Sequence, residues 1–334
     1  MAAAGVARYL LAGHVVAFVL AALALAGVAW VVSVATEEVG AHIGPARTGL
    51  LQATLGNLPE FFVVLFALRA KELVVAQTAI VGAILVNSLL VLGLVILAGA
   101  ARASDGVMRF GRRLPNDTAT LMMLSSFIIV LVALASGSHD LAAQHLKAIS
   151  VAAAIAILAV YGVWVRDQLG LDRVSDRARG GGTGLRWALS SLAAGALASA
   201  FVSDWFVHAL RPATHTLGIS RAFAGLVIVA IAGNAVEHAV GVVLAARGRS
   251  DLAISVVKGS IAQLVAFLYP ALVLVSLLTA TTLTFKLGPV YAGALALCGV
   301  IVWQITGDGE ATAFEGIALV AAFVILAVVA AYQG

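Results

Sequence analysis

The stretch Gly-Asn-Leu-Pro-Glu at residues 56–60 returns as Gly-Asn-Ala-Val-Glu at residues 233–237, and both copies lie within long apolar runs. Their two glutamates are 177 residues apart, and the same offset relates Gly82 to Gly259. A carboxylate inside a bilayer costs several kcal/mol and is retained mostly where it has a function. The repeat therefore predicts that two halves of the chain build one site together, an arrangement typical of secondary transporters.

The composition is that of an integral membrane protein. Hydrophobic residues make up 62% of the 334 residues and charged residues only 11%, whereas soluble domains carry about 25% charged residues. The apolar runs are continuous, which favours helices over a β-barrel. Cys298 is the only cysteine, so the sequence predicts no disulfide and no thiolate metal site. The net charge of +4 comes mostly from loops, which indicates the lipid bilayer and not nucleic acid as a partner.

Ten membrane-spanning helices are predicted, five on either side of a polar, glycine-containing connector at residues 166–184. Five is an odd number, so the second half, 185–334, must enter the membrane in the opposite orientation to the first, 1–165. The expected fold class is thus all-α, with two inverted five-helix repeats and a site near the bilayer midplane. The spans run roughly over residues 13–35, 46–68, 72–100, 117–136, 143–165, 185–207, 219–246, 251–279, 287–305 and 311–332.

Basic residues predict the orientation of the chain. Most lysines and arginines lie in the loops that follow odd-numbered spans, so the positive-inside rule places those loops in the cytoplasm. Both termini are then expected on the opposite side, in a multi-pass protein of a prokaryotic plasma membrane. Asp308 and Glu310, before the last span, are expected to be turn residues.

The polar residues of the repeat form the candidate site. Glycine and asparagine are poor helix formers and Pro59 removes a backbone donor, so the helix should break there and turn carbonyl oxygens toward a cavity. Glu60 and Glu237 are expected to approach each other near the midplane. Two carboxylates among neutral oxygens suit a hard cation, with Ca²⁺ first. The further oxygen donors are Asn57, Asn87, Ser88, Asn234, Ser260 and Gln263.

Each of these residues also has a purely structural interpretation. Buried asparagine and glutamine often serve only as hydrogen-bonding groups between helices. Gly82 and Gly259 more often allow close packing of helices, and we expect that role for them. For Glu60 and Glu237 the structural alternative is weak, because neutral side chains would fill the space without the cost of desolvating a charge.

The two motifs resemble those of the calcium/cation antiporters, and the calcium/proton exchanger branch most closely. The resemblance implies ten core helices in inverted repeats, cation binding by the two glutamates, and exchange of the cation against protons. It also adds His238, which directly follows the second motif, to the candidate cation- and proton-binding residues. The matching stretches are 36–38, 44–60, 82–93, 233–238 and 251–263.

The chain departs from this family pattern at Lys258, Ile261 and the connector. Lys258 stands where an apolar residue is usual. It is expected to extend its ammonium group to the cytoplasmic interface; the alternative is a positive charge near Glu237 that modulates cation binding. Ile261 removes a small polar residue. The connector mixes arginine with aspartate, so regulation by calcium through that loop is not expected.

The predicted function is cation/proton antiport, most simply Ca²⁺/H⁺ exchange, by a transporter that is not an enzyme and needs no cofactor. The ionised pair of glutamates would bind the cation, and the protonated pair would return without metal. Exchange of Na⁺ or K⁺ against protons, or sodium-driven calcium exchange, remains an alternative on the same architecture. A membrane-embedded hydrolase using Glu60, Glu237 and His238 is disfavoured, because the sequence has no nucleophile motif and no paired histidine ligands.

Overall fold

The computed structural model describes residues 13–43, 56–138, 140–172 and 185–333, most of them in helices. Apolar segments become helices in a bilayer because their backbone groups must hydrogen-bond within the segment. A short 3-10 helix, Leu141–His145, precedes α5. The helices are α1 (His14–Ile43), α2 (Leu58–Arg69), α3 (Leu73–Arg102), α4 (Arg113–Gly137), α5 (Leu146–Asp172), α6 (Leu185–Leu217), α7 (Arg221–Gly233), α8 (Ala235–Ala246), α9 (Ser250–Ser276), α10 (Pro289–Thr306) and α11 (Ala313–Ala331).

Eight of the predicted spans have a counterpart among the described helices that is long and apolar enough to cross a bilayer. The predicted span 219–246 corresponds to α7 and α8, which are bent by 62° relative to each other. The remaining predicted span, 46–68, is represented by α2, and its residues 46–55 lie outside the described part of the chain. Residues 173–184 of the predicted connector lie outside it as well.

Helices α3 and α9, which the 177-residue offset relates, run in opposite directions. Near the start of α3, the side-chain amide of Gln77 donates to the carbonyl oxygen of Lys286, which follows α9, at 2.7 Å. Beyond the end of α3, the backbone N–H of Gly111 donates to the carboxylate of Asp251, in the first turn of α9, at 2.8 Å. The start of each helix thus lies beside the end of the other.

The repeat is also visible in the backbone geometry of these two helices. A π-helical turn occupies Val86–Val91 in α3, and another occupies Leu264–Leu268 in α9. The offset of 177 maps residues 87–91 onto the second turn. Such turns widen a helix locally and occur frequently at functional sites. Asn87 lies inside the first turn, and Gln263 directly precedes the second.

The short helices α2 and α8 flank the two most enclosed spans. Among the described spans, α3 and α9 have the largest buried shares. Helix α2 packs between α3 and α6, helix α8 packs against α3 and α9, and α1 lies along α6. Packing of this kind places the starts of α2 and α8 in the interior of the bundle.

A two-stranded antiparallel ribbon joins two loops outside the bundle. Strand β1 (Val107–Arg109) pairs with β2 (Glu310–Thr312). Asp308 is a turn residue as expected, since its carboxylate accepts from the N–H of Glu310 at 3.0 Å. The expectation for Glu310 is wrong, because its partner strand comes from a loop about 200 residues earlier, and local sequence carries no signal for that pairing.

Candidate cation site

Both motifs have the same backbone conformation at their asparagine, directly before a helix begins. Asn57 has φ −92° and ψ 16°, and Asn234 has φ −104° and ψ 11°, so both leave the helical region of backbone space. Helix α2 begins directly after Asn57, and α8 directly after Asn234. Pro59 is tolerated because it lies in the first turn of α2, where its missing N–H would have no partner within the helix.

The two short helices run outward in opposite directions. Helix α2 ends where α3 begins, and α8 ends where α9 begins, while α3 and α9 are antiparallel. Each has 12 residues, which corresponds to about 18 Å, less than the roughly 30 Å of a bilayer core. Each therefore starts well inside the membrane.

The two glutamates occupy equivalent positions at these starts. Glu60 is the third residue of α2 and Glu237 the third of α8, each in the first turn, where the helix dipole favours negative charge. Glu60 is only 4% exposed. Among the described residues, neither carboxylate oxygen of Glu60 has a hydrogen-bond partner. The same holds for Oε2 of Glu237. Glu60 touches the second motif at Gly233, four residues before Glu237.

Gly233, in the second motif, leaves the space that the Glu60 carboxylate occupies. The Glu60 carboxylate lies directly against the backbone of Gly233, and a Cβ atom at that position would collide with Oε1 of Glu60. The two motifs, 177 residues apart in sequence, thus touch each other through the acid of one and the glycine of the other. Sequence reasoning assigned no role to this glycine beyond loosening the helix.

Neutral oxygen donors surround the carboxylates unequally. The side-chain amide of Asn57 donates to Oε1 of Gln263, across from α2 to α9, at 3.1 Å. The hydroxyl of Ser260 lies close to the Glu237 carboxylate. These two carboxylates with amide and hydroxyl oxygens form a donor set of the kind that hard cations prefer. The described residues contain no group of three or more histidine, cysteine, aspartate or glutamate side chains placed to hold one metal ion, so such a site would depend on the neutral oxygens.

Within the described residues, the side chains of Asn87 and Asn234 make no hydrogen bond that crosses to another helix. Asn87 donates to the carbonyl oxygen of Ala83 at 2.9 Å, and Asn234 to that of Ala230 at 3.3 Å, each one turn back in its own helix. Their amide groups therefore serve the helix backbone. Nε2 of His238 is buried without a hydrogen-bond partner among the described residues.

Close helix packing accounts for Gly82. Its backbone lies against the backbone of Leu226 in α7, and Gly225 in turn lies against the Thr78 side chain in α3. The prediction of a packing role is confirmed for Gly82. For Gly259 it stays a prediction, because the repeat offset maps Leu226 onto residue 49, which lies outside the described residues.

Lys258 does not reach the interface, and that expectation is wrong. The side chain is fully buried, and Nζ donates to Oγ1 of Thr306 at 2.8 Å. The hydroxyl of Thr118 in α4 donates to the Lys258 carbonyl at 3.3 Å. The ammonium group turns toward α10 because Thr306 offers an oxygen there. Ser260, two residues on, faces the opposite way toward Glu237.

One contact to the broken helix was missed from the sequence. Ser203 in α6 is fully buried, and its hydroxyl donates to the carbonyl oxygen of Pro59 at 3.3 Å. This carbonyl belongs to the first turn of α2, so the contact ties the start of α2 to α6. A serine within an apolar span was the available signal, but nothing in the sequence indicated its partner.

Comparison with known proteins agrees with this architecture. The family model described as sodium/calcium exchanger protein matches residues 13–169 and 187–332. A Ca²⁺/H⁺ antiporter of Synechocystis sp. is 30% identical over 338 residues, covering 94% of this chain and 90% of that protein. A Ca²⁺/H⁺ antiporter of Aphanothece halophytica is 29% identical over 330 residues, covering 92% of this chain and 88% of that protein.

Among solved structures, native YfkE has the same fold, with a TM-score of 0.83 at 24% identity, covering 98% of this chain and 96% of that chain. The resemblance seen in the sequence is confirmed: the chain belongs to the sodium/calcium exchanger protein family, with relatives in its calcium/proton exchanger branch.

Proposed function

We propose that this protein is a secondary active Ca²⁺/H⁺ antiporter with one central site. The observation that carries the proposal is the pair of glutamates in the first turns of α2 and α8, which start inside the bundle and run to opposite faces. The curated relatives are named Ca²⁺/H⁺ antiporters, which supports calcium as the cation.

Electrostatics explains why cation and proton would exclude each other. Two ionised carboxylates at short range in a poorly hydrated interior repel each other strongly. Either a divalent cation between them or protons on them removes that repulsion. With protons bound, the neutral pair can face the other side of the membrane without metal. The two acids should therefore titrate as a coupled unit.

The proposed binding residues follow from this arrangement. Glu60 and Glu237 carry the charge that binds the metal, and nearby side chains supply neutral oxygens or a proton-accepting nitrogen. In this proposal Lys258, on the far side of α9, is not a ligand, and its charge modulates cation binding only weakly. The supporting residues are Asn57, Asn87, Asn234, His238, Ser260 and Gln263.

We further propose that the whole chain has ten transmembrane helices in two inverted repeats, 1–165 and 185–334, joined by a cytoplasmic connector at 166–184. The opposed directions of α3 and α9 and the π-helical turns at matching positions support this. The family model, which matches both 13–169 and 187–332, is consistent with it. Both termini would face away from the cytoplasm of a prokaryotic cell, and the proton gradient would drive export of the cation.

The test is transport by the purified protein in proteoliposomes with an imposed pH gradient, with Ca²⁺, Mn²⁺, Na⁺ and K⁺ each supplied alone. Ca²⁺ should move protons, and Glu60→Gln and Glu237→Gln should each abolish that movement, because glutamine keeps the volume but not the charge. Glu310→Gln, which changes an exposed acid of the ribbon, is the matched control and should remain active.

Two outcomes would contradict the proposal. Exchange at the wild-type rate in either glutamine variant, at equal protein amounts, would remove that glutamate from the mechanism. Proton movement with Na⁺ or K⁺ but not with Ca²⁺ would favour the monovalent-cation alternative.

A further inference from the structure

A groove separate from the candidate cation site opens toward the bilayer beside the start of α5. It is a shallow, open depression of about 620 Å³, bordered by the 3-10 helix, by the first turns of α5 and by Leu277, just after α9. None of the candidate cation-binding residues lines it. A groove at the end of a membrane-spanning helix lies where lipid headgroups meet acyl chains.

The outer end of the groove is polar and basic. Gln144, His145 and Lys147 line it, and all three side chains are exposed. The lining contains no carboxylate. Asp140, the nearest acid along the chain, caps the 3-10 helix, and its carboxylate accepts from the N–H of Ala142 at 2.8 Å. The charge at this end therefore suits an anionic group.

The inner end of the groove is an apolar stripe along one face of α5. Ala148, Val151, Ala152 and Ile155 follow one another at helical spacings of three and four residues, so they share that face. The two alanines form a shallow floor between larger neighbours. The distance along the helix from Lys147 to Ile155 is about 12 Å. Such a channel fits part of an extended acyl chain.

The walls of the groove are held in place by the rest of the bundle. Ser150, on the buried side of α5, accepts at its hydroxyl oxygen from the N–H of Phe285 at 3.1 Å. The hydroxyl of Tyr269 in α9 donates to the carbonyl oxygen of Thr284 at 3.1 Å. Since α5 also packs against the end of α9, the groove needs no rearrangement to accept a ligand.

We propose that this groove binds one anionic phospholipid. Its phosphate lies at Lys147 and His145, and one acyl chain lies along the stripe from Ala148 to Ile155. An exposed ion pair between Lys147 and a lipid phosphate contributes up to about 1 kcal/mol, which corresponds to roughly fivefold in affinity. The apolar stripe adds contact that a phosphate group alone cannot make.

Native mass spectrometry of the detergent-purified protein tests this without any transport assay. Phosphatidylglycerol, phosphatidylcholine and glycerol 3-phosphate are each titrated against wild type, Lys147→Gln and Ala152→Phe. Lys286→Gln, which changes an exposed lysine on the same side of the bundle but outside the groove, is the matched control. Phosphatidylglycerol should form one preferred adduct with wild type, about fivefold weaker in Lys147→Gln. Ala152→Phe should weaken that adduct too, because the ring fills the floor.

Equal binding of phosphatidylglycerol and phosphatidylcholine by wild type would overturn the proposal. So would an adduct unchanged in both groove variants, an equal loss in Lys286→Gln, or glycerol 3-phosphate binding as tightly as the lipid. All of these positions are exposed, and a melting temperature equal to that of wild type shows that each variant is folded.

Discussion

The two Gly-Asn motifs share a backbone conformation, but their asparagine side chains have different hydrogen-bond partners. Asn57 and Asn234 have nearly the same φ and ψ, and each precedes a helix with glutamate at its third position. Yet the Asn57 amide donates across the bundle to Gln263, whereas the Asn234 amide donates back to Ala230 in its own helix. The repeat thus reproduces the backbone conformation of the asparagine, the helix start and the place of the acid, while the side chains around the acid differ.

The same contrast holds for α3 and α9. Their π-helical turns coincide under the repeat offset, but their polar residues do not. Ser260 and Gln263 map onto Ala83 and Val86, which are apolar. In a site shared between the halves, a cation would therefore meet different neutral oxygens on its two sides. Equivalent substitutions in the two halves test whether this difference in neutral oxygens affects cation binding.

The largest effect is expected from Gly233→Ala. The added methyl group would occupy the place of the Glu60 carboxylate, and overpacking of this kind costs about 1–3 kcal/mol. A cost of that size corresponds to a fall in calcium affinity of about 5- to 150-fold in a binding assay. Gly162→Ala, in an open position within α5, is the control and should bind normally. Normal affinity in Gly233→Ala would show that contact between the motifs is not needed for binding.

A smaller effect, on stability, is expected from Gly82→Ala. The new Cβ would press against the Leu226 backbone, so the melting temperature should fall by several degrees, in line with a cost of about 1–3 kcal/mol. If the inverted repeat extends to residue 49, Gly259→Ala should cost about as much. The described atoms around Gly259 leave open space, so a fully tolerated Gly259→Ala would break the symmetry at this point.

A smaller difference in calcium affinity and stability is expected between the variants Asn57→Ala and Asn234→Ala. Asn57→Ala removes a hydrogen bond between the two halves, and such bonds contribute about 0.6–1.7 kcal/mol within membranes. Asn234→Ala removes one within a single helix. Calcium titration and thermal unfolding should both show the larger loss in Asn57→Ala. An equal loss in the two variants would mean that Asn234 contacts the cation directly.

The smallest effect on transport is expected from Lys258→Met. Its ammonium group bonds Thr306 on the side of α9 away from Ser260, so calcium affinity should change by less than about twofold. Stability should be unchanged or higher, since an apolar side chain of similar length replaces a buried charge. Thr306→Val provides the contrast: it leaves the ammonium group without its partner and should cost about 2 kcal/mol. A clear change in ion selectivity in Lys258→Met would show that this charge acts on the site.

Local patterns in the sequence were sufficient for most of the spans, for the start of α2, for the bend between α7 and α8, and for the family. Apolar runs predicted the helices because a bilayer leaves the backbone no other partners. The Gly-Asn motifs predicted the breaks because glycine, asparagine and Pro59 weaken a helix wherever they lie. The offset of 177 residues identified which residues of the two halves correspond. None of this needed knowledge of which helices touch.

The tertiary structure decided the contacts between residues that are far apart in sequence. Gly233 received the Glu60 carboxylate, Asn57 found Gln263, and Glu310 paired with a strand from another loop. Lys258 is the plainest case: hydropathy and its distance from the interface favoured a charge reaching water, but a threonine on a neighbouring helix offered a nearer partner. The sequence determines which groups must be satisfied in the membrane interior, and only the packing of the helices decides which atoms are close enough to satisfy them.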